Sequence, residues 1–294
     1  MLNRRFLRVK ALQEIYAYHQ SKGNDLAKAE RHLLESVDNL YELFVYQLSF
    51  WVEVKRFAER RIEENRNKHL LALEDKYKIN WADFREDFIR GFYNRLLNTV
   101  EYQQYMSNGE DCFEDDKRLL MAITDNYMAE DSMLYDFYAD RKLSFNSDYQ
   151  VSLFLFWKFI NELPASFNED SSLPRVFKTE NGSDMDDKTF VIKLFEKTIL
   201  HADEYREMVK ENLSNWDYDR LVLMDKILIF MALTEFCEFR FIPVKVTINE
   251  YIEISKFYSS LESRRFVNGL LDKLATQLKE EGKLVKTGLG LVEK

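Results

Sequence analysis

An all-α fold is the class this sequence predicts. Its 294 residues include only eight glycines and three prolines, so the punctuation that breaks helices is scarce. Apolar residues make up 46% of the chain, 15% of it aromatic, and they recur at spacings of three and four rather than in alternation. The length allows one large or two small domains with a sizeable core.

The elements follow in order. Asn3 is placed to cap a first helix, whose buried stripe is Leu7, Ala11, Ile15 and Tyr18. Arg4 and Arg8 share another face, so with Arg5 the cations are expected to point outward together. Leu40, Phe44, Leu48, Trp51, Lys55 and Ala58 mark one face of a long helix that stays charged towards Asn67. Further helical stretches are expected at 69–106, 117–140 and 147–162. Pro164, Pro174, Ser171-Ser172 and Asn181-Gly182 mark a linker over about 163–185, and Phe190 to Leu213 reads as one helix after it.

Pro243 bars a helix from running through and favours an extended residue before it. Thr247 and Glu250 fit a T-x-x-E capping box flanked by Val246 and Tyr251, which starts a helix at about Thr247. Its apolar stripe is Tyr251, Ile254, Phe257 and Tyr258, and it ends near Ser259-Ser260. Ser263 is the expected cap of a second helix with Phe266, Val267, Leu270, Leu271 and Leu274 on its inner face. Gly269 inside that helix suggests close backbone approach by a neighbour. A tail, KTGLGLVEK, closes the sequence.

The net charge of -9 argues against general affinity for nucleic acid, but the charge is unevenly spread. Residues 1–10 carry Arg4, Arg5, Arg8 and Lys10 without an acidic side chain, and 240–286 holds nine basic against six acidic residues. Residues 107–140 hold ten acidic against two basic. Cys112 and Cys237 lie far apart without a C-x-x-C partner, which supports neither a disulfide framework nor a thiolate metal site and fits a reducing cytoplasm. Neither a secretory h-region nor an 18-residue uncharged run is present, so the expectation is a soluble cytoplasmic protein with no membrane partner.

Enzyme motifs are missing: there is no phosphate loop, dinucleotide fingerprint, nucleophile elbow or H-E-x-x-H helix. His19, His32, His69 and His201 supply no paired Glu-x-x-His, so neither metal nor cofactor is expected. The basic first helix is more informative. Cations in a first turn oppose the macrodipole by about 0.3–1 kcal/mol each, a cost that a bound phosphate would offset. Arg264, Arg265, Phe266 and Asn268 combine phosphate-binding and base-reading side chains, although Phe266 fits the apolar face of its helix equally well. Glu250 reads more readily as a cap than as a functional residue, and Glu262 would stand beside the proposed site.

The run Ile242-Pro243, Ile248-Asn249-Glu250, Glu262-Ser263, Phe266-Val267-Asn268-Gly269 and Leu271-Asp272 resembles the C-terminal signature of the NusB family of transcription antitermination factors. Asn215 to Phe236, NWDYDRLVLMDKILIFMALTEF, is similar to a preceding helix of that family and departs at Phe230, where arginine is usual. Asn3 to Gln20, with Gln13 and Tyr16, is similar to its arginine-rich first helix.

The resemblance implies NusB-like segments at 1–35 and 186–285, a helical insertion and linker at 36–185, and a tail at 286–294. It further implies two small helical bundles, no enzymatic activity, and binding of boxA-type single-stranded RNA in ribosomal RNA transcripts. The partners it implies are the small-subunit ribosomal protein NusE and an antitermination complex on RNA polymerase. Carried over residue by residue, the RNA side comprises Arg4, Arg5, Arg8, Tyr16, Arg264, Phe266 and Asn268, and the partner side Asp225, Lys256 and Tyr258. One alternative is a non-enzymatic protein-interaction scaffold that has lost RNA binding and works through its acidic, aromatic insertion. A third reading, the RNA-binding domain of a ribosomal RNA cytosine methyltransferase, lacks the required catalytic domain.

Overall fold

A computed structural model describes residues 4–21, 25–66, 86–108, 112–168, 170–179, 186–213 and 217–291. The fold is all-α, with no strand among the described residues. The chain divides into two compact units, Met1–Val37 with Arg175–Lys294, and Asp38–Pro174. The first holds 26 basic and 25 acidic residues and the second 16 and 26, so the acidity of the chain belongs to the second.

The first unit contains α1 (Arg4–Gln20), the opening turns of α2 (Leu26–Arg66), α8 (Asp187–Leu200), α9 (Ala202–Asn212), α10 (Leu223–Glu238), α11 (Val244–Tyr258) and α12 (Leu261–Glu280). α10 is buried from Ile227 through Phe236 because it is apolar on almost every side, and it packs against α1, α8, α9, α11 and α12. Asp186 caps α8 by accepting from Thr189 N at 2.8 Å, and α12 ends in a Schellman arrangement. There Gly282, at φ 70°, turns the chain so that Lys283 N reaches Leu278 O and Gly282 N reaches Lys279 O.

The second unit contains the rest of α2, α3 (Glu86–Leu97), α4 (Val100–Asn108), α5 (Phe113–Ile123), α6 (Ser132–Ala139) and α7 (Leu143–Glu162). One π-helical turn, Thr124–Met128, follows α5, with Ala129 N bonded to Thr124 O. Its core is aromatic. Phe50 meets Phe92 edge-on at 4.8 Å, Phe88 stacks on Phe137 at 5.1 Å, and buried Tyr149 donates to Met128 O at 2.6 Å.

Several local expectations need correction. α11 starts at Val244, with Pro243 at its N-cap in an extended conformation, so Thr247 and Glu250 form no capping box. Ser260, not Ser263, caps α12 and accepts from Ser263 N at 3.1 Å. A Cβ on Gly269 would meet none of the described residues within 4 Å, so no close approach among them explains that glycine. Phe257 is 84% exposed and lies off the apolar face of α11. On α2 Leu40 and Phe44 are buried as expected, but the buried face also takes in Leu43, Gln47, Phe50, Val54 and Phe57, while Trp51 is only half-buried and Lys55 exposed. The expected helix 190–213 breaks at His201, and 117–140 breaks at Ala129–Asp131. Asn3, Asn67 and residues 69–85 lie outside the described residues.

Candidate nucleic-acid interface

α1 presents its arginines to carboxylates of its own unit, because its other face, Leu7, Ala11, Leu12 and Ile15, must face the core. Arg8 is 3% exposed. Its Nε and Nη2 donate to the Glu235 carboxylate of α10 at 2.5 and 2.9 Å, and Nη1 lies 3.6 Å from Glu250. Glu235 also accepts from Thr247 Oγ1 at 3.1 Å and from Tyr251 OH at 2.8 Å, so α1, α10 and α11 meet on one buried carboxylate. Burial alone would push the Arg8 guanidinium down, but the charge and hydrogen bonds of Glu235 outweigh it and hold it above arginine's ordinary value. Burial, reinforced by Glu235, likewise pushes the Tyr251 phenol well up.

The expectation that Arg4, Arg5 and Arg8 point outward together is thereby corrected. A guanidinium enclosed by Glu235 and Glu250 has no surface for phosphate, so Arg8 locks helices together. Arg5 forks onto Glu250 at 2.8 and 2.9 Å, a hydrogen-bonded pairing that raises its pKa. Arg4 donates to Asp187 at 3.4 Å, and its guanidinium lies 4.6 Å from the Phe190 ring centroid.

α12 offers a different environment. Ser260 fixes its start, which places Arg264 and Asn268 one turn apart, with Arg265 three residues before Asn268 on the same side. Arg265 and Asn268 are exposed, and Arg264 and Phe266 are half-buried. Arg264 Nε is shielded from solvent and has no hydrogen-bond partner among the described residues. Between α12 and α1, α11 carries Glu250 and Glu253. The Glu253 carboxyl is held below its ordinary value, first by a hydrogen bond from Lys256 and then by the charges of Arg5 and Arg264. Cations of α1 and α12 therefore flank one acidic strip of α11.

Of the remaining predicted residues, Tyr258 and Asp225 lie at the C-terminal end of α11. Gln13 donates to Tyr258 OH at 3.2 Å, and Ser259 Oγ to Asp225 Oδ1 at 2.5 Å. Asp225 is buried, so it positions the α11–α12 junction from within instead of meeting a partner at the surface. Tyr16 is exposed and its hydroxyl accepts from Gln20 at 3.0 Å; Lys256 is exposed and paired with Glu253. Sequence reasoning missed Glu235 as the hub. Its signal was a lone carboxylate inside the apolar run ILIFMALTEF.

The NusB family model matches residues 152–276, which runs from within α7 through α8 to α11 and most of α12 and leaves α1 outside the match. The transcription antitermination protein NusB of Salinibacter ruber is 34% identical over 123 residues, 42% of this chain and 77% of the relative. Its namesake in Chloroherpeton thalassium is 36% identical over 111 residues, 38% of this chain and 53% of the relative. That of Thermodesulfovibrio yellowstonii is 37% identical over 98 residues, 33% of this chain and 64% of the relative. No solved structure gives a significant match. With that identity spread over more than three quarters of the Salinibacter protein, and with the helices bearing the signature packed around α10, this chain belongs to the NusB family.

Proposed function

We propose that this chain is a non-enzymatic, cytoplasmic transcription antitermination factor that binds boxA-type single-stranded RNA together with NusE, within an antitermination complex on RNA polymerase. The observation that carries the reading is the α12 surface. Arg265 and Asn268 are exposed, with Arg264 and Phe266 half-buried beside them. Two guanidiniums, an amide and a ring within two turns suit phosphate contact and base recognition on an unpaired strand. Arg4, Arg5 and Tyr16 contribute from α1, with Arg5 exchanging Glu250 for phosphate. Arg8 and Asp225 act as positioning residues, and Lys256 and Tyr258 of α11 lie on the NusE side.

The pairing of Arg4, Arg5 and Arg8 with Asp187, Glu250 and Glu235 favours the second reading, a scaffold without RNA affinity. Fluorescence anisotropy with boxA-like and scrambled RNA at low and physiological salt separates the two. Replacing Arg264 and Arg265 with Ala is expected to lower the salt slope by about 0.7 per lost contact and to weaken both RNAs alike. Absence of RNA binding by the wild-type protein at low salt would install the scaffold reading.

A further inference from the structure

The second unit has a cleft that the RNA reading does not use. It measures about 560 Å³ and runs between the end of α3, the start of α4 and the turn that joins the π-helical segment to α6. Phe92, Leu96 and Ile123, all buried, form its floor. At its mouth Val100 is 61% and Met133 51% exposed, so the apolar floor continues onto the rim.

The rim is acidic. Glu130 is exposed, and Asp131 neutralises Arg95, the cation in the lining. Tyr127 OH and Asn126 Nδ2, which also line the cleft, donate to Glu101 at 2.7 and 2.8 Å and fix its carboxylate nearby. Those hydrogen bonds, led by that of Tyr127, hold the Glu101 carboxyl below its ordinary value. Asp125 and Asp136, exposed on the same acidic segment, lie outside the lining of this cleft, Asp125 facing a separate groove with Gln150 and Trp157.

We propose that this cleft is a docking site for a basic protein segment, in which Lys or Arg residues flank an aliphatic or aromatic anchor. The volume lies within the range of sites that enclose a compact apolar group, and the anchor would cover Val100 and Met133. The flanking cations would face Glu130 and Glu101, gaining orientation and association rate from the negative rim. Nucleic acid is disfavoured because its phosphates would meet the same carboxylates. The proposal is independent of RNA binding by α12.

The test uses the full chain as bait for a random peptide library displayed on phage, followed by fluorescence anisotropy with a synthetic peptide of the selected consensus. Selected sequences are expected to pair basic residues with an apolar anchor and to bind more tightly as salt falls. Val100→Lys with Met133→Lys is expected to weaken binding by about tenfold or more, the effect of losing one good anchor. Both side chains are exposed, and the milder pair Val100→Thr with Met133→Gln, checked by circular dichroism, guards against misfolding. The proposal is overturned if no peptide is selected, if the selected peptides lack basic residues, or if neither pair of substitutions weakens binding. Reduced RNA affinity in both pairs, without a peptide effect, would give the cleft to nucleic acid.

Discussion

Replacing Glu235 with Leu tests whether the arginines of α1 are structural or RNA-facing. The carboxylate accepts four hydrogen bonds, two from Arg8 and one each from Thr247 and Tyr251, all in the interior. Removing one partner of a buried ion pair costs about 3–5 kcal/mol, because the remaining charge stays desolvated. Glu250 remains 3.6 Å from Arg8 as a partial substitute, so the lower end, about 3 kcal/mol, is expected. Replacing both Arg8 and Glu235 with Met removes the stranded charge and should recover part of that loss, the rest staying with the Thr247 and Tyr251 hydroxyls, which lose their acceptor. Hydrogen exchange followed by mass spectrometry suits a two-unit chain, because amides of α10 and α11 report on the first unit while the second serves as an internal reference. The single variant should exchange there faster by a factor on the order of one hundred. RNA affinity of the double variant should stay within about twofold of wild type, since Arg8 acts from inside the core. A loss below about 1 kcal/mol in the single variant, or a double variant no more stable than the single, would refute the hub role of Glu235.

Other consequences are open to measurement. Phe266→Ala should lower discrimination between boxA-like and scrambled RNA by about 1–3 kcal/mol if the ring stacks on a base; a folding loss of about 3–5 kcal/mol would assign the ring to the core. Burial pushes the Lys286 ammonium from 10.5 down to about 8, while Nζ donates to the Glu235 and Phe239 carbonyls at 3.0 and 2.9 Å. The folded state then binds fewer protons than the unfolded between those values, so this group destabilises below pH 8 and the penalty fades as pH rises. Wild type should therefore gain on Lys286→Met between about pH 7.5 and 9 in urea titrations, by roughly 1 kcal/mol after solvent screening. Above that window Cys237, whose thiol burial pushes up to about 11, acts in the opposite direction. Neutralising Glu114 and Asp136 of the second unit should leave RNA affinity unchanged at physiological salt, where charges beyond about 8 Å are screened; a large gain would bring the acidic segment to the RNA.

Helical class, the proline-led entry to α11 and the break at Ser259-Ser260 were legible because each rests on short-range chemistry. The start of α11 was not. Thr247 and Glu250 mimic a capping box, yet one serves Glu235 and the other Arg5, partners twelve and 245 residues away. The arginines of α1 show the same limit. Spacing tells which residues share a face, whereas only the fold tells what stands opposite. Asn268 and Arg265, singled out from the sequence for RNA contact, are exposed, but the pairing of Glu253 with both Lys256 and the flanking cations needed three helices in place.

The division of the first unit between the two ends of the sequence has a consequence during synthesis. α1 leaves the ribosome early with Leu7, Ala11, Leu12 and Ile15 uncovered, while α8 and α10, which bury them, lie some 170 to 220 residues later. At about 5–20 residues per second the delay is on the order of ten to forty seconds. The second unit, continuous in sequence, is complete before α8 is made. For that interval α1 has only the opening turns of α2 beside it, where His32 meets Glu14, and its apolar face awaits α8 and α10, which makes it a natural client for chaperones that bind nascent chains.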